Sequence, residues 1–474
     1  MVELYQFAVL LAGLALLMAL VVRGRSIFVV GPLCAALTTL LSGRDPVAAL
    51  AGPYMTGFAD YVRNFYLVFV LGAAFGRLYE ESGAAAAVAD RIGGRLGRGR
   101  ACLAVVLACA VLTYGGVSLF VVGFSVHPLA VSLFRAADLP RRFIPAAIAF
   151  GSITFTMTSA GSPEIQNLIP IKYLVDATTG APLTDAMAGW PVSLIVAAGM
   201  FLVGQAYLDG ALRRAVARGE RWEPRAGDVA AAETTAACPA GPAGRPPSFA
   251  AALAPLVVTV LALNGLPWLC RAIAPLAGGG PLTRILEAVP ADPALAVFLG
   301  VATGLVTLGP GIRDGWRCLA AGFGNGLVAI ASIASVVGFG AAVQGLPAFQ
   351  AIVAAVTRLP GDPLAGAAIA VAVIAALAGS ASGGQGIAFP IIKPIYVDAL
   401  GVAPRALHRV VTIASGTLDS LPSNGFVVML VHSICGETHA RAYGPIFVTT
   451  VLLPLGGTIA AILLFRLVPA WAAF

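Results

Sequence analysis

The chain has 474 residues, of which 59% are hydrophobic and only 11% charged, with a mean hydropathy of +0.92. Soluble domains carry roughly 25% charged residues, so the composition excludes a soluble globular protein and predicts an all-α polytopic membrane protein. The formal net charge of +7 does not point to nucleic acid, because the arginines stand in short connections between apolar runs, where cytoplasmic loops concentrate them.

Residues 1–22 show no basic region ahead of the apolar run and no small-residue cleavage site, so they read as a spanning helix and not a signal peptide. Arg23 and Arg25 behind it predict an external N-terminus. Further spans are expected near 26–43, 62–79, 143–178 and 187–208, then near 249–270, 294–311, 316–345, 406–434 and 442–466. Between the third and fourth span of each half lies a stretch too long for one helix and too polar at its centre. Ala101 to Phe134 is uncharged for 34 residues around Thr113-Tyr-Gly-Gly-Val-Ser118, and Leu364 to Ile392 for 29 residues around Gly379-Ser-Ala-Ser-Gly-Gly-Gln-Gly386. Each arm is about 14 residues, short of the roughly 20 that spanning needs. Each stretch therefore reads as a re-entrant hairpin, about 101–134 and about 364–400, with glycine at the tip because it accepts positive φ. The alternative is a helix pair with an ordinary external turn.

An internal repeat is visible. Phe75-Gly-Arg-Leu matches Phe339-Gly-Ala-Ala, and Pro140-Arg141 matches Pro404-Arg405, both at a spacing of 264 residues. Five spans per half is an odd number, so the second half enters the membrane inverted relative to the first. The expected organisation is a first repeat at 1–208, a cytoplasmic linker at 209–247 and a second repeat at 248–474, each repeat holding one hairpin and one broken helix (about 143–178 and about 406–434). Both termini are then external. Arg91, Arg95, Arg98 and Arg100, and Arg213, Arg214, Arg218, Arg221 and Arg225, fall on the cytoplasmic side, whereas Arg405 and Arg409 fall outside, against the charge rule.

The broken helices carry Gly, Ser and Pro interruptions at Thr156 to Asn167 and Ser415 to Asn424. A bilayer tolerates irregular backbone only where it is buried in protein or lines a cavity. Paired breaks in two related halves point to a transporter's binding site. Free N–H groups at a half-helix N-terminus attract anions. The candidate binding residues are therefore Gly115, Gly116 and Ser118 at the first tip, and Thr158, Ser159, Ser162, Gln166 and Asn167 at the first break. Ser380, Ser382, Gly383, Gly384 and Gln385 at the second tip, and Ser420, Ser423 and Asn424 at the second break, complete the set. The competing explanation is ordinary helix–helix hydrogen bonding. Glu164 and Asp419 are carboxylates in apolar surroundings, where charge is expensive, and are the candidates for carrying a coupling proton. Their alternative role is a hydrogen bond to the freed N–H groups of their own break. Lys172 and Lys393, the only lysines, either attract a carboxylate or snorkel to the interface.

The seven cysteines and four histidines are scattered, with no C-x-x-C pair, so neither a metal site nor a cofactor is expected. No Walker A, H-E-x-x-H or G-x-S-x-G motif occurs, and Gly322-Phe-Gly-Asn-Gly326 lies in an apolar run as a helix-packing motif. An enzyme is not indicated. A channel would need a continuous polar lining, whereas the polar clusters here are confined to four places.

Gly151-Ser-Ile-Thr-Phe-Thr-Met-Thr with Ser162-Pro-Glu-Ile-Gln-Asn-Leu-Ile-Pro170 resembles the first signature of the gluconate permease (GntP) family. Gly379-Ser-Ala-Ser-Gly-Gly, Leu407-His-Arg-Val and Ser415-Gly-Thr-Leu-Asp-Ser-Leu-Pro-Ser-Asn-Gly425 resemble the second. The resemblance implies an ion-transporter-superfamily homodimer in the inner membrane. It implies proton symport of gluconate or a related hydroxy acid, and an elevator-like motion of the hairpin-bearing domain. Glu164, Ser423 and Lys172 depart from the gluconate-type pattern; other substrates of the family include 3-hydroxybutyrate, fructuronate and D-serine. The expected function is proton-coupled symport of a small hydroxylated carboxylate, with sodium-coupled organic-anion transport as the alternative.

Overall fold

The computed structural model describes residues 2–22, 25–96, 98–117, 119–223, 247–277, 280, 283–284, 292–349, 351, 361–378, 380–422 and 424–474. Ser118, Ser423, Gly379 and most of the expected linker lie outside the described residues. The described chain is helical, with one isolated bridge between Val175 and Pro182. Five helices among the described residues are long and apolar enough to cross a membrane: Pro46–Glu81, Trp190–Ala217, Pro293–Gly311, Gly315–Gln344 and His439–Leu467. A sixth candidate, Phe249–Asn264 with Trp268–Leu276, is bent by 61°, although the sequence reads as one straight span there. Gly265 stands at the bend and Pro267 follows it, the residues least able to continue a helix.

Helix Pro46–Glu81 begins well before the span expected at 62. The Asp45 carboxylate accepts from the amides of Val47 (2.8 Å) and Ala48 (3.3 Å), and Pro46 occupies the first helical position, a strong start signal. Its partner Gly315–Gln344 is capped in the same way by Asp314. The two pack backbone to backbone because the contact positions are glycine. A Cβ on Gly322 would fall 2.5 Å from Ala74 Cα, and one on Gly326 would fall 2.6 Å from Val70 Cα, while Gly324 faces open space. This is the small-residue geometry that lets membrane helices gain dispersion contacts.

The helix Trp190–Ala217 continues through 209–217, where the sequence reads as linker. Leu208, Leu212 and Ala215 are buried, and their spacing keeps one apolar stripe running past the first arginines.

Two helical hairpins, Ala101–Tyr114 with Leu119–Ala136 and Pro363–Ala378 with Ala381–Ile392, flank two interrupted helices. Tyr114 and Ala378, which end the first arms, are 264 residues apart. The apolar cores interlock across the halves. In one, Val122 and Val126 of the first hairpin and Ile144 and Ile148 ahead of the first break pack with Val427 and Leu430, which follow the second break. In the other, Val371 and Ala388 of the second hairpin and Val410 and Val411 ahead of the second break pack with Ile169 and Leu174, which follow the first. Each chain segment thus crosses, at its break, from one core to the other.

Away from the breaks, Arg142 grips Glu220 through two hydrogen bonds of 2.7 and 3.0 Å, holding that carboxyl below its usual range. Arg441 reaches Glu223 at 2.8 Å. These pairs tie the segment after Ala217 to both halves.

Replacing Gly326 with Ala forces the two long helices apart. We expect about 1–3 kcal/mol of destabilisation and a lower thermal midpoint in detergent, whereas Gly324→Ala, on the open face, leaves the midpoint nearly unchanged.

Candidate functional site

The first interrupted helix runs Ile144–Ala149, widens into a π-turn at Phe150–Thr154, loses regular structure, and restarts as Ile165–Tyr173. Threonine and serine side chains turn back on the departing helix. Thr156 Oγ1 donates to the carbonyls of Ser152 (2.8 Å) and Gly151 (3.1 Å), and Ser159 Oγ donates to that of Phe155. These back-bonds compete with the helical ladder and favour the break.

The freed peptide groups are met from other elements and, at Ser162, from the restart of the same helix. Arg409 donates to the Thr158 carbonyl at 2.5 Å and to that of Ala188 at 2.9 Å. Tyr114, at the end of the first hairpin's first arm, donates to Ala160 O (2.8 Å), Asn264 to Gly161 O (3.0 Å) and Asn167 to Ser162 O (2.9 Å). The Ala160 amide donates to Ser193 Oγ (2.8 Å) and the Gly161 amide to Ala186 O (2.8 Å). Gly161 has φ +79°, and a Cβ there would sit 2.9 Å from the Tyr114 hydroxyl, so only glycine fits. Arg409 is fully buried. The sequence puts it at the outer end of the span expected at 406–434 and gives it no partner; it is packed inside the protein, and Arg405 is engaged with Asp185 at 2.7 Å.

The second interrupted helix runs Pro404–Ser415, breaks, and restarts at Gly425 with Asn424 as its cap, whose Oδ1 accepts from the Val427 amide at 3.0 Å. Ser420 Oγ donates to Asp419 Oδ1 at 3.0 Å, and Tyr443 to Ser420 O at 3.0 Å. The Asp419 carboxylate also takes the backbone amides of Ala381 and Ser420, so it joins the return arm of the second hairpin to its own break. The two interrupted helices meet through His408, whose Nδ1 bonds Thr184 at 2.8 Å and whose Nε2 lies 3.3 Å from Asn167 Oδ1.

At the first tip Gly116 has φ +94°, and a Cβ on Gly115 would clash with Leu256 at 2.4 Å. At the second, the helix resumes early. Ser380 caps it, accepting from the Gly383 amide at 3.3 Å, and Ser382 to Gln385 are helical. A Cβ on Gly384 would lie 2.4 Å from Ala375 Cα, so that glycine serves the close approach of the two arms.

These elements surround a cavity of about 560 Å³. Of the candidates, Gly116, Thr158, Glu164, Gln166, Ser380, Ser382, Asp419 and Asn424 line it. Gly115, Ser159, Ser162, Asn167, Gly383, Gly384, Gln385 and Ser420 are not in its lining and make supporting contacts, such as Gln385 Nε2 to Ser415 Oγ at 2.7 Å. Neither lysine lines it: Lys172 is exposed, and Lys393 bonds Asp398 at 3.0 Å. The opposite wall comes from residues sequence reading missed, among them Phe69, Gly72 and Ala73 on one long helix and Ala329, Ile333 and Val336 on the other. Their spacing of three and four is the only signal, and it is common to any packed helix face. Among the described residues no three His, Cys, Asp or Glu side chains gather to hold a metal.

No family profile matches the chain. It is 34% identical over 468 residues to the uncharacterized transporter YxjC of Bacillus subtilis (strain 168), covering 94% of this chain and 96% of that protein. Among solved structures it resembles the Alcanivorax borkumensis YdaH transporter, with a TM-score of 0.52 and 16% identity over 90% of this chain and 87% of that one. It also resembles Neisseria gonorrhoeae MtrF, from a class of antimetabolite efflux pumps, with a TM-score of 0.50 and 14% identity over 89% and 84%. At these identities the likeness is one of fold, that of polytopic transporters.

Arg409→Gln withdraws donors from buried carbonyls. We expect a loss of about 3 kcal/mol, seen as a lower thermal midpoint, while Arg405→Gln, at a half-exposed ion pair, changes stability by less than about 1 kcal/mol.

Proposed function

The chain belongs to the transporter family of YxjC, and on that premise we propose that it is a secondary active transporter moving a small carboxylate in symport with protons. One observation carries this reading: both breaks and both hairpin tips open onto a single cavity, and the two intramembrane carboxylates, Glu164 and Asp419, line it together.

The charges decide the coupling. With both carboxylates ionised, an entering anion meets two like charges in a poorly screened space, which disfavours binding. Taking up a proton on Glu164 or Asp419 removes one of the two repelling charges, so proton uptake favours anion binding and the two bind together. Arg409, one peptide behind Thr158, adds a fixed positive charge on the same side. The substrate carboxylate meets hydroxyls and the helix start at Ser380.

Alternate access follows from the division of the cavity wall. Hairpins and interrupted helices form one bonded unit; the helices Pro46–Glu81 and Gly315–Gln344 form the other wall. Sliding the first past the second as an elevator carries the site across the membrane. In this reading the halves are inverted repeats, the linker is cytoplasmic, both termini lie outside the inner membrane, and the protein is a homodimer. The motif resemblance to the gluconate permease family supports the carboxylate and the proton. A sodium-coupled variant is favoured by the same carboxylate and hydroxyl oxygens, which suit a hard cation.

The test is uptake of labelled carboxylates into proteoliposomes, with proton and sodium gradients imposed separately. We expect accumulation on a proton gradient alone, reduced at least tenfold by Glu164→Gln or Asp419→Asn with counterflow exchange retained. Intact proton-driven accumulation in both variants refutes the coupling assignment, and accumulation driven only by sodium selects the variant mechanism.

A further inference from the structure

The two sides of the cavity differ in chemistry. Among the described residues its polar side chains, Ser332 apart, come from the breaks and the second hairpin, whereas the long helices and the helix Pro293–Leu308 contribute Val68, Phe69, Val297, Ile333 and Val336. Several of the polar groups are already engaged. Ser332 Oγ donates to Val328 O at 2.7 Å, Ser380 and Ser382 bond each other at 3.1 Å, and Asn424 Oδ1 takes the Val427 amide. The Gln166 side-chain oxygen, by contrast, is buried without a hydrogen-bond partner. The cavity therefore offers a small polar end and a long apolar wall.

On the reading that the site takes a carboxylate, we propose that the substrate is a monocarboxylate with an apolar body, bearing at most one or two hydroxyls beside the charged end, and not a polyhydroxylated sugar acid. A sugar acid held by its carboxylate at the breaks turns its remaining hydroxyls toward Phe69, Ile333 and Val336. Each hydroxyl stranded there without a partner weakens binding about tenfold. Each methylene of an alkyl chain placed there strengthens it about fourfold. A mostly apolar pocket with a few convergent polar groups is the usual design for such ligands.

Hexanoate and gluconate share carbon number and charge and differ in hydroxylation, which isolates the question. The experiment is calorimetric titration of the full chain in lipid nanodiscs with hexanoate, gluconate and hexylammonium, subtracting partition into empty nanodiscs. We expect hexanoate to bind at least tenfold more tightly than gluconate. Val336→Thr, which puts a hydroxyl into the wall at nearly constant volume, and Ile333→Thr, which puts one there and also removes a carbon, should each narrow that ratio at least threefold; two variants guard against one that fails to fold. Gluconate binding as tightly as hexanoate, or a ratio unmoved in both variants, overturns the apolar-body proposal and leaves the carboxylate reading standing. If neither carboxylate binds, or hexylammonium alone does, the carboxylate reading itself fails and this proposal with it.

Discussion

Peptide groups released by a broken helix find no water in an apolar interior, and an unmet one costs several kcal/mol. Here the first break is held by side chains from different parts of the chain: Arg409, Tyr114, Asn264 and Ser193. The break is not a flaw patched locally. It is the point on which the second interrupted helix, the first hairpin, the bent helix and the helix Trp190–Ala217 converge. Arg409 suits the task because a guanidinium presents several donors in a fixed fork.

The interlocked cores follow from the same constraint. Because each interrupted helix leaves one core and enters the other at its break, the breaks sit at the boundary between the cores. Polar side chains gather where the ladder is open, and apolar ones fill either side. The cavity lies against that boundary, closed on its far side by two helices whose own contact is set by glycine.

The placement of Asp419 illustrates how roles shift between sequence and structure. Beside a broken helix, a carboxylate would be expected to cap its own restart. Asn424 fills that position, leaving Asp419 to meet Ala381 across the cavity edge. The same side chain thus links a hairpin to an interrupted helix while lining the cavity.

Much of this architecture was legible in the amino-acid order. Spans, hairpin turns and helix breaks are local events, dictated by run length and by Gly, Ser and Pro, each acting within a few positions. The eight lining candidates came from those local signals. The chain order could not reveal that Arg409 is buried, that Gly384 serves arm packing, or that Phe69, Ile333 and Val336 complete the cavity. Those roles arise from contacts between segments hundreds of residues apart, and an apolar residue on an apolar helix looks the same whether it faces lipid, a neighbouring helix or a binding site. Local sequence determined where the backbone opens; only the packing of distant elements decided what each opening faces, because burial and hydrogen-bond partners are properties of the assembled chain.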